Sequence, residues 1–321
     1  MRAVITGGAG FIGSNFVRRI LDGTLIGVSE IVIIDKLTYA GSLTNFSSQE
    51  RQNFEFIKGD ICDENLARRV IRKNDVIVNF AAESHVDRSI DSPNSFVNTN
   101  ILGTQNLLEI ARQNDNNTFI QISTDEVYGS IDSGLSFETD NLLPNSPYAA
   151  SKASSELLAR SYKNTFDMDI RITRCSNNYG PYQFPEKLIP VFITNLIDSI
   201  PIPIYGDGEN IREWIHVDDH CRAINSVIFE GSSGDIFNIG SGVHKTNNQI
   251  AELILESFSL GPELIKFVPD RRGHDIRYAL NSTRIANILG FKPLINFESG
   301  IMETITWYKE HENWWRPLKR N

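Results

Sequence analysis

Short, almost continuously apolar segments alternate with longer amphipathic segments through the first half of the chain. The apolar segments have the length of strands and lie at residues 2–6, 29–35, 54–60, 75–82, 118–124 and 168–176. Strands that are apolar on both faces are typical of a parallel sheet covered by helices. The amphipathic segments predict helices, most clearly at residues 11–23, 98–113 and 147–166. This alternation predicts an α/β fold with a doubly wound parallel sheet.

The pattern changes after about residue 177, where proline, asparagine and aromatic residues become frequent. Helical patterns return at residues 247–258 and 298–311. The change predicts a sheet domain at residues 1–177 and a smaller, mixed α/β C-terminal lobe at residues 178–321. Segments near residues 213–240 are expected to return to the sheet of the first domain.

A glycine-rich turn joins the first predicted strand to the first predicted helix. The sequence TGGAGFIG places glycines at Gly7, Gly10 and Gly13. These glycines permit a tight turn and a close approach of the backbone to a pyrophosphate, which then faces the helix N-terminus. A glycine motif alone is weak evidence, but a strand before it and a helix after it indicate a Rossmann-type dinucleotide site.

Acidic residues at the ends of the second and third predicted strands bear on the choice of cofactor. Asp35 is placed to accept hydrogen bonds from ribose hydroxyls and would repel a 2′-phosphate, so it favours NAD over NADP. Lys36 follows directly and weakens that exclusion. Asp60 is placed to reach the adenine, and its alternative role is to cap the next helix.

Charge and cysteine content limit the classes of partner and compartment. The net charge of −9 argues against nucleic acid or an anionic membrane as a general partner. No apolar stretch approaches the roughly 20 residues of a membrane helix, and no signal peptide fits ahead of the first strand. Cys62, Cys175 and Cys221 have no metal-type spacing, so we expect reduced thiols, no metal site and a cytoplasmic protein.

The segment SPYAASK carries a candidate catalytic base. Tyr148 and Lys152 are four residues apart and share one face of a helix. A neighbouring ammonium and a positive nicotinamide would favour the phenolate and make it a usable base toward an alcohol. Thr124, at the end of the fifth strand, could share the substrate hydroxyl. An isolated Tyr-x-x-x-Lys pattern arises by chance, but its place after a dinucleotide loop favours catalysis.

Asp125 and Glu126 follow the fifth predicted strand directly. Adjacent carboxylates in a closed apolar site do not both ionise easily, so one can stay protonated near neutral pH. Spacing does not decide which one, because the titration belongs to the pair. The alternative is that Asp125 caps a turn and Glu126 is solvated.

Long motifs along nearly the whole chain resemble the extended short-chain dehydrogenase/reductase superfamily and, within it, the dTDP-glucose 4,6-dehydratase family. They are NFAAESHVDRS (79–89), STDEVYGS (123–130), PNSPYAASKA (144–153), RCSNNYGPYQFPEKLIP (174–190), YGDGENIREWIHVDDHC (205–221), DRRGHDIRY (270–278) and ENWWRPLK (312–319). The resemblance implies an NAD-dependent enzyme acting on dTDP-glucose, and a homodimer formed through helices near 98–113 and 148–166. Arg272 departs from the family pattern, which has proline there.

The resemblance implies an internal redox cycle with loss of water. Hydride passes from C4 of the glucose to NAD⁺ while Tyr148 takes the hydroxyl proton, with Thr124 and Lys152 beside it. Glu126 then removes the C5 proton, Asp125 protonates the departing C6 hydroxyl, and hydride returns to C6. The product is a 4-keto-6-deoxy sugar.

The resemblance also assigns binding residues by position. The cofactor set comprises Gly7, Gly10, Phe11, Ile12, Gly13, Asp35, Lys36, Thr38, Asp60, Ile61, Ala81, Ala82, Ser84, Thr99, Tyr148, Lys152 and Asn178. The substrate set comprises Ser84, Thr124, Asn177, Lys187, Leu188, Pro203, Tyr205, Arg212, Asn247, Arg271 and His274. Since a guanidinium can bind a pyrophosphate in bidentate fashion, Arg212 and Arg271 are the stronger candidates for that group.

Other functions remain open from the sequence. A 4-epimerase or decarboxylase on this fold would share the glycine loop and the Tyr148–Lys152 pair but would not need Asp125 and Glu126 for elimination. A 4,6-dehydratase of a UDP- or GDP-linked sugar would need them, and the base pocket is not readable from the sequence. A non-catalytic NAD-binding protein is the remaining class, although all the catalytic residue types are present.

Overall fold

The computed structural model describes residues 1–115 and 117–319 of the chain. The strands are β1 (Arg2–Thr6), β2 (Glu30–Asp35), β3 (Glu55–Lys58), β4 (Val76–Asn79), β5 (Thr118–Thr124), β6 (Asp169–Cys175), β7 (Asn177–Tyr179), β8 (Ile202–Tyr205), β9 (Ile211–His216), β10 (Ile236–Ile239), β11 (His244–Thr246) and β12 (Ile265–Val268). The α-helices are α1 (Phe11–Leu21), α2 (Glu64–Val70), α3 (Val86–Asp91), α4 (Pro93–Phe96), α5 (Thr104–Gln113), α6 (Pro147–Phe166), α7 (Leu188–Ile197), α8 (Val217–Glu230), α9 (Asn247–Ser257), α10 (Thr283–Leu289), α11 (Phe297–Glu310) and α12 (Glu312–Lys319). Short 3₁₀-helices lie at Leu43–Asn45, Glu50–Gln52, Asp125–Tyr128 and Pro262–Leu264.

A seven-stranded sheet in the order β10-β6-β5-β4-β1-β2-β3 forms the centre of the molecule, and every pairing in it is parallel. The direction of strand addition reverses between β1 and β4. In open parallel sheets this reversal leaves a crevice at the carboxyl ends of the strands, where ligands bind. The predicted doubly wound α/β fold is confirmed.

Two separate cores explain why the strands are apolar on both faces. Val4 and Ile5 are neighbours on β1, and each is fully buried in a different core because successive strand residues point to opposite faces. The Ile5 side is covered by α1 and α8, and the Val4 side by α2, α5 and α6. Nearly all of the sheet is thereby withdrawn from water, which stabilises it by roughly 25 cal/mol per Å² of apolar surface.

A second, smaller unit contains a three-stranded sheet, β11-β9-β7, and a two-stranded sheet, β12-β8. Its core is built from α7, α9 and α11 around Trp214 of β9, with Trp315 of α12 fully buried beside them. Of the segments near residues 213–240, α8 packs on α1 and β10 pairs with β6 in the large sheet, whereas β9 lies in the small sheet.

The segment predicted as one helix at residues 98–113 begins differently. Residues Val97–Gly103 form a π-helix, and the α-helix starts only at Thr104. Within this wide turn Asn100 donates to the Glu83 carbonyl at 3.0 Å and to Ser151 Oγ at 2.8 Å. The altered pitch thus places polar side chains toward β4 and α6, which the apolar periodicity did not predict.

Residues 1–115 and 117–319 contain neither a membrane-spanning helix nor a cluster of metal ligands. No helix in these ranges is long and apolar enough to cross a bilayer. The same ranges contain no cluster of three or more histidine, cysteine, aspartate or glutamate side chains that could hold a metal ion.

Candidate active site

One continuous cavity lies at the carboxyl ends of the parallel strands, at the reversal between β1 and β4. Every residue of the predicted cofactor set lines it. It extends past Thr124, Asp125 and Glu126 to Asn177 and Lys187. The predicted cofactor residues and the acid pair therefore share one enclosure.

The glycine loop leaves no room for side chains where the backbone turns. Gly7 has a φ of +67°, and a Cβ there would lie 2.5 Å from the Ala81 backbone nitrogen. A Cβ on Gly13 would lie 2.5 Å from the Gly7 carbonyl oxygen. Helix α1 starts at Phe11 after Gly10, which has no side chain to occupy the helix N-terminus. This cradle of backbone N–H groups fits the pyrophosphate of a dinucleotide.

Substitution of Gly7 by alanine is expected to weaken NAD binding by at least about tenfold, because the added methyl forces the loop away from Ala81. Gly23→Ala is the matched control, since Gly23 also has positive φ (+79°) but nothing within 4 Å of an added Cβ. Both variants carry the left-handed strain of about 1 kcal/mol. Calorimetric titration with NAD measures the difference, and equal affinities for the two variants would contradict the cradle.

Asp35 and Asp60 form the far end of the cavity. Asp35 accepts hydrogen bonds from the backbone nitrogens of Ala9 (3.0 Å) and Leu37 (2.8 Å), which fix its carboxylate at the end of β2. Lys36 Nζ reaches Asp60 Oδ2 at 3.3 Å. Burial alone would raise the pKa of Asp60, but hydrogen bonding to the Cys62 amide and the charge of Lys36 outweigh it and lower the pKa.

The alternative role of Asp60 as a helix cap is wrong. Helix α2 is capped by Asp63, whose side chain accepts from the Leu66 backbone nitrogen. Asp60 instead accepts from the Cys62 backbone nitrogen at 3.0 Å, in a turn that precedes the helix. This leaves Asp60 at the cavity wall, next to Ile61.

Tyr148 lies in the first turn of α6, where Ser146 caps the helix, and its side chain is almost fully buried at the cavity wall. Burial raises the pKa of Tyr148 well above its ordinary value, the charge of Glu126 raises it further, and only Thr124 opposes this. Within the chain alone, burial and the charge of Glu126 thus favour the protonated phenol. The predicted activation of Tyr148 therefore needs the positive charge of the nicotinamide as well as that of Lys152.

Lys152 does not bond to Tyr148. Lys152 lies one helical turn after Tyr148, and its Nζ donates to the Ile122 carbonyl oxygen at 2.5 Å. Burial lowers the pKa of Lys152 to about 8, although the charges of Cys175 and Glu156 partly offset that effect. The ammonium is held under the strand end, facing the part of the cavity between the glycine loop and Tyr148.

Asp125 occupies the start of a single 3₁₀ turn, Asp125–Tyr128, which we call the acid turn. It is only 3% exposed; its Oδ1 accepts from Thr124 Oγ1 at 3.1 Å, and its Oδ2 has no partner within the described residues. Burial raises the pKa of Asp125 well above its ordinary value, and the charges of Glu126 and Glu213 raise it further. Of the two carboxyl groups, Asp125 therefore has the surroundings that favour the protonated form more strongly.

Glu126 has different surroundings. Burial raises its pKa as well, but the charges of Arg212, Arg271 and Lys187 all act to lower it. These cations come from three distant parts of the chain and face the same carboxylate. The alternative for Asp125 is not observed, because Thr124 caps the acid turn, whereas Glu126 is partly exposed at the cavity wall.

Asp125→Asn is expected to stabilise the fold by an amount that grows with pH. The folded state binds a proton at Asp125 that the unfolded chain releases near its ordinary pKa of about 3.9, so wild-type stability falls as pH rises above that value. Asparagine carries no charge and keeps an oxygen for Thr124. Thermal unfolding between about pH 4 and about pH 8 measures this. Exposed Asp132→Asn is the control, and equal melting temperatures for Asp125→Asn and wild type throughout would contradict the assignment.

The remaining substrate-set residues do not line the cavity. They are Leu188, Pro203, Tyr205, Arg212, Asn247, Arg271 and His274. Several meet near the start of β9, where Arg212 donates to the carbonyls of Asp275 (2.8 Å) and Ile276 (3.3 Å). His274 pairs with Asp270 at 2.6 Å, and Arg272 is exposed on the same loop. Arg271 of this loop lies close enough to Glu126 for its charge to lower the pKa of that carboxyl group.

Sequence reasoning missed a set of contacts near the cavity mouth. Arg88 of α3 lies 3.6 Å from the ring centre of Tyr39 and 3.2 Å from Glu186. Phe184 packs edge-on against Tyr39, with ring centres 5.4 Å apart. Phe184 and Glu186 lie in the quoted motif RCSNNYGPYQFPEKLIP and line the cavity, but only that motif could have signalled them.

Comparison with known proteins agrees with this arrangement. The family model described as GDP-mannose 4,6 dehydratase matches residues 4–304. A relative from Streptomyces niveus named dTDP-glucose 4,6-dehydratase is 51% identical, covering 99% of this chain and 96% of the relative. One of the same name from Streptomyces antibioticus is 49% identical, covering 100% and 96%. The crystal structure of DesIV, a dTDP-glucose 4,6-dehydratase from Streptomyces venezuelae with NAD and TYD bound, has a TM-score of 0.97 at 50% identity, covering 99% of this chain and 100% of that one.

The sheet, the glycine cradle and the Tyr148 site together define an enzyme of the nucleotide-sugar short-chain dehydrogenase/reductase class. The names of the relatives narrow this class to enzymes that eliminate water. The chain belongs to the dTDP-glucose 4,6-dehydratase family. The predicted family is thereby confirmed.

Proposed function

We propose that the protein is an NAD-dependent hydro-lyase that converts dTDP-glucose to dTDP-4-keto-6-deoxyglucose and water. The observation that carries the proposal is that buried Asp125 and half-buried Glu126 lie in the same cavity as Tyr148 and the glycine loop. An epimerase or a decarboxylase would use Tyr148 but has no need of a second acid–base pair for elimination. The relatives' names support dTDP-glucose as the substrate.

The first step belongs to Tyr148, Thr124 and Lys152. When bound along the glycine loop, NAD⁺ supplies the acceptor for the C4 hydride and the donor that returns it to C6. Tyr148 takes the proton of the C4 hydroxyl, and Thr124 shares that hydroxyl. Lys152, held at the Ile122 carbonyl, adds positive charge on the cofactor side of the site.

The second step belongs to the acid turn. Once C4 is a ketone, the C5 hydrogen is acidic and Glu126 removes it as a base. Asp125 holds the proton that the C6 oxygen needs to depart as water, because burial and Glu126 keep its pKa raised. The different surroundings of the two adjacent carboxyl groups thus match the two demands of elimination, one acid and one base.

Incubation of the purified protein with dTDP-glucose and, separately, with UDP-glucose tests this function. No external reductant is added, and the alkali-induced absorbance of a 4-keto-6-deoxy product is measured. We expect product from dTDP-glucose in preference to UDP-glucose. Product from neither sugar would overturn the dehydratase function, and a preference for UDP-glucose would overturn only the choice of base.

We also infer a homodimer formed through α5, its preceding π-helix, and α6. Leu102 and Leu157 lie on these helices and are each 52% exposed, and Phe166 is 49% exposed. Burial of three such side chains favours association. Sedimentation of wild type and Leu157→Asp measures it: the wild type is expected to be a dimer and the variant to shift toward monomer. A wild-type monomer would contradict the inference.

A cytoplasmic location is part of the same proposal. Cys175 and Cys221 are buried as free thiols, which is typical of proteins kept in a reducing compartment. The binding residues and the domain division given above also stand as proposals.

A further inference from the structure

A buried guanidinium lies beneath the active site and takes no part in the steps above. Arg174 of β6 is fully buried. Its Nε donates to Glu156 Oε2 at 3.0 Å, and its Nη2 donates to Glu156 Oε1. Its Nη1 donates to the hydroxyl of Tyr128 at 2.5 Å and to the Glu138 carbonyl at 3.1 Å.

The two side chains that Arg174 holds belong to the two catalytic elements. Glu156 lies one turn after Lys152 on α6, the helix that also carries Tyr148. Tyr128 ends the acid turn that begins with Asp125. One planar guanidinium therefore joins the helix of the first step to the turn of the second.

The Tyr128 hydroxyl is fixed on its other side too. It donates to Asn238 Oδ1 of β10 at 2.8 Å while it accepts from Arg174. Burial raises the pKa of Tyr128 to about 12, so the hydroxyl keeps its proton and remains a donor. Its ring also lies 4.8 Å from the Arg174 guanidinium carbon. The end of the acid turn thus has a fixed place relative to β6 and β10.

Stability alone does not account for this network. Removing two charges from water costs several kcal/mol per ion, and apolar residues of similar size often stabilise a fold equally well or better. A guanidinium paired in bidentate fashion does provide fixed geometry, because its donors point along set directions in one plane. The property that this network provides is therefore a fixed position of the acid turn relative to α6.

We propose that Arg174, Glu156 and Tyr128 are positioning residues that set the distance between Tyr148 and the acid pair. This inference rests on the proposed function, in which one bound sugar presents O4 to Tyr148 and then C5 and C6 to Glu126 and Asp125. A displacement of about 1 Å costs about 10²-fold in rate. The network keeps both sets of groups within reach of neighbouring carbons, so the sugar need not shift between steps.

Tyr128→Phe isolates the link to the acid turn, because it removes one hydroxyl and leaves the Arg174–Glu156 pair intact. We expect elimination to slow about 10–100-fold while C4 oxidation changes by less than about threefold. In single turnover, reduced nicotinamide absorbance then accumulates, and the isotope effect with C5-deuterated substrate increases. A merely structural role would move the melting temperature without changing either quantity.

Tyr162→Phe is the matched control, since Tyr162 lies on the same helix α6 and its hydroxyl bonds to Glu109 of α5, away from the acid turn. It is expected to keep the wild-type ratio of the two rates. Tyr128→Phe with that same ratio and an unchanged isotope effect would overturn the proposal. A wild-type protein that makes neither product nor reduced nicotinamide would instead overturn the proposed function.

The double variant Arg174→Met, Glu156→Met tests the ion pair itself. Replacement of a buried pair by apolar side chains is expected to preserve folding, while both C4 oxidation and elimination slow by about tenfold or more. A folded double variant with wild-type rates would overturn the role of the pair. If the variant does not fold, Tyr128→Phe decides the question alone.

Discussion

Glu126→Gln lowers the rate of product formation about 10²–10⁴-fold, because glutamine cannot accept the C5 proton. NAD binding is expected to stay at the wild-type level, since Glu126 lies at the end of the cavity away from the glycine loop. The first step remains possible, so adding dTDP-glucose should produce reduced nicotinamide without the 4-keto-6-deoxy product. Absorbance of the reduced cofactor and the alkali assay for product together measure this separation.

Glu126→Asp is the matched control for the charge. This variant keeps a carboxylate near Arg212, Arg271 and Lys187, but the side chain that carries it is one methylene shorter. We expect a rate between those of the wild type and Glu126→Gln. Wild-type turnover in Glu126→Gln would show that another group removes the proton.

Tyr148→Phe is expected to stop the reaction one step earlier, with a loss of about 10²–10⁴-fold. The phenyl ring keeps the packing against Phe96, whose ring centre lies 6.3 Å away, but it cannot take the C4 hydroxyl proton. Unlike Glu126→Gln, this variant should form no reduced nicotinamide when sugar is added. Single-turnover absorbance distinguishes the two variants directly.

Two outcomes would contradict the order of steps. One is fast formation of reduced nicotinamide in Tyr148→Phe. The other is an identical time course of nicotinamide absorbance in Tyr148→Phe and Glu126→Gln. Tyr162→Phe, on the same helix, serves as the control for loss of a tyrosine hydroxyl. It should behave as wild type in both assays.

Local pattern was enough to predict the sheet and the cofactor end of the site. The length and apolar continuity of a strand are properties of a few consecutive residues. The turn at Gly7, Gly10 and Gly13 likewise depends only on local backbone geometry. The helix that places Tyr148 and Lys152 on one face follows from a spacing of four. All of these features are in the structure where the sequence predicted them.

The protonation of the acid pair was not predictable from the sequence, because it depends on neighbours that are distant along the chain. Asp125 faces Glu213 of β9, whereas Glu126 faces Arg212, Arg271 and Lys187. The same limit applies to the contacts of Lys152. Spacing places Lys152 near Tyr148, but only the packed structure shows that its ammonium donates to the Ile122 carbonyl.

The path of the chain between the two sheets has a consequence for recombination. After β7 and β9 build the small sheet, α8 and β10 return to the large one, and β11 goes back to the small sheet. A single crossover anywhere between β1 and β12 in two genes of this family would therefore split at least one sheet. Exchange of sugar specificity between relatives requires several discontinuous segments to be inherited together. These enzymes are therefore expected to diverge by point substitution rather than by exchange of domains.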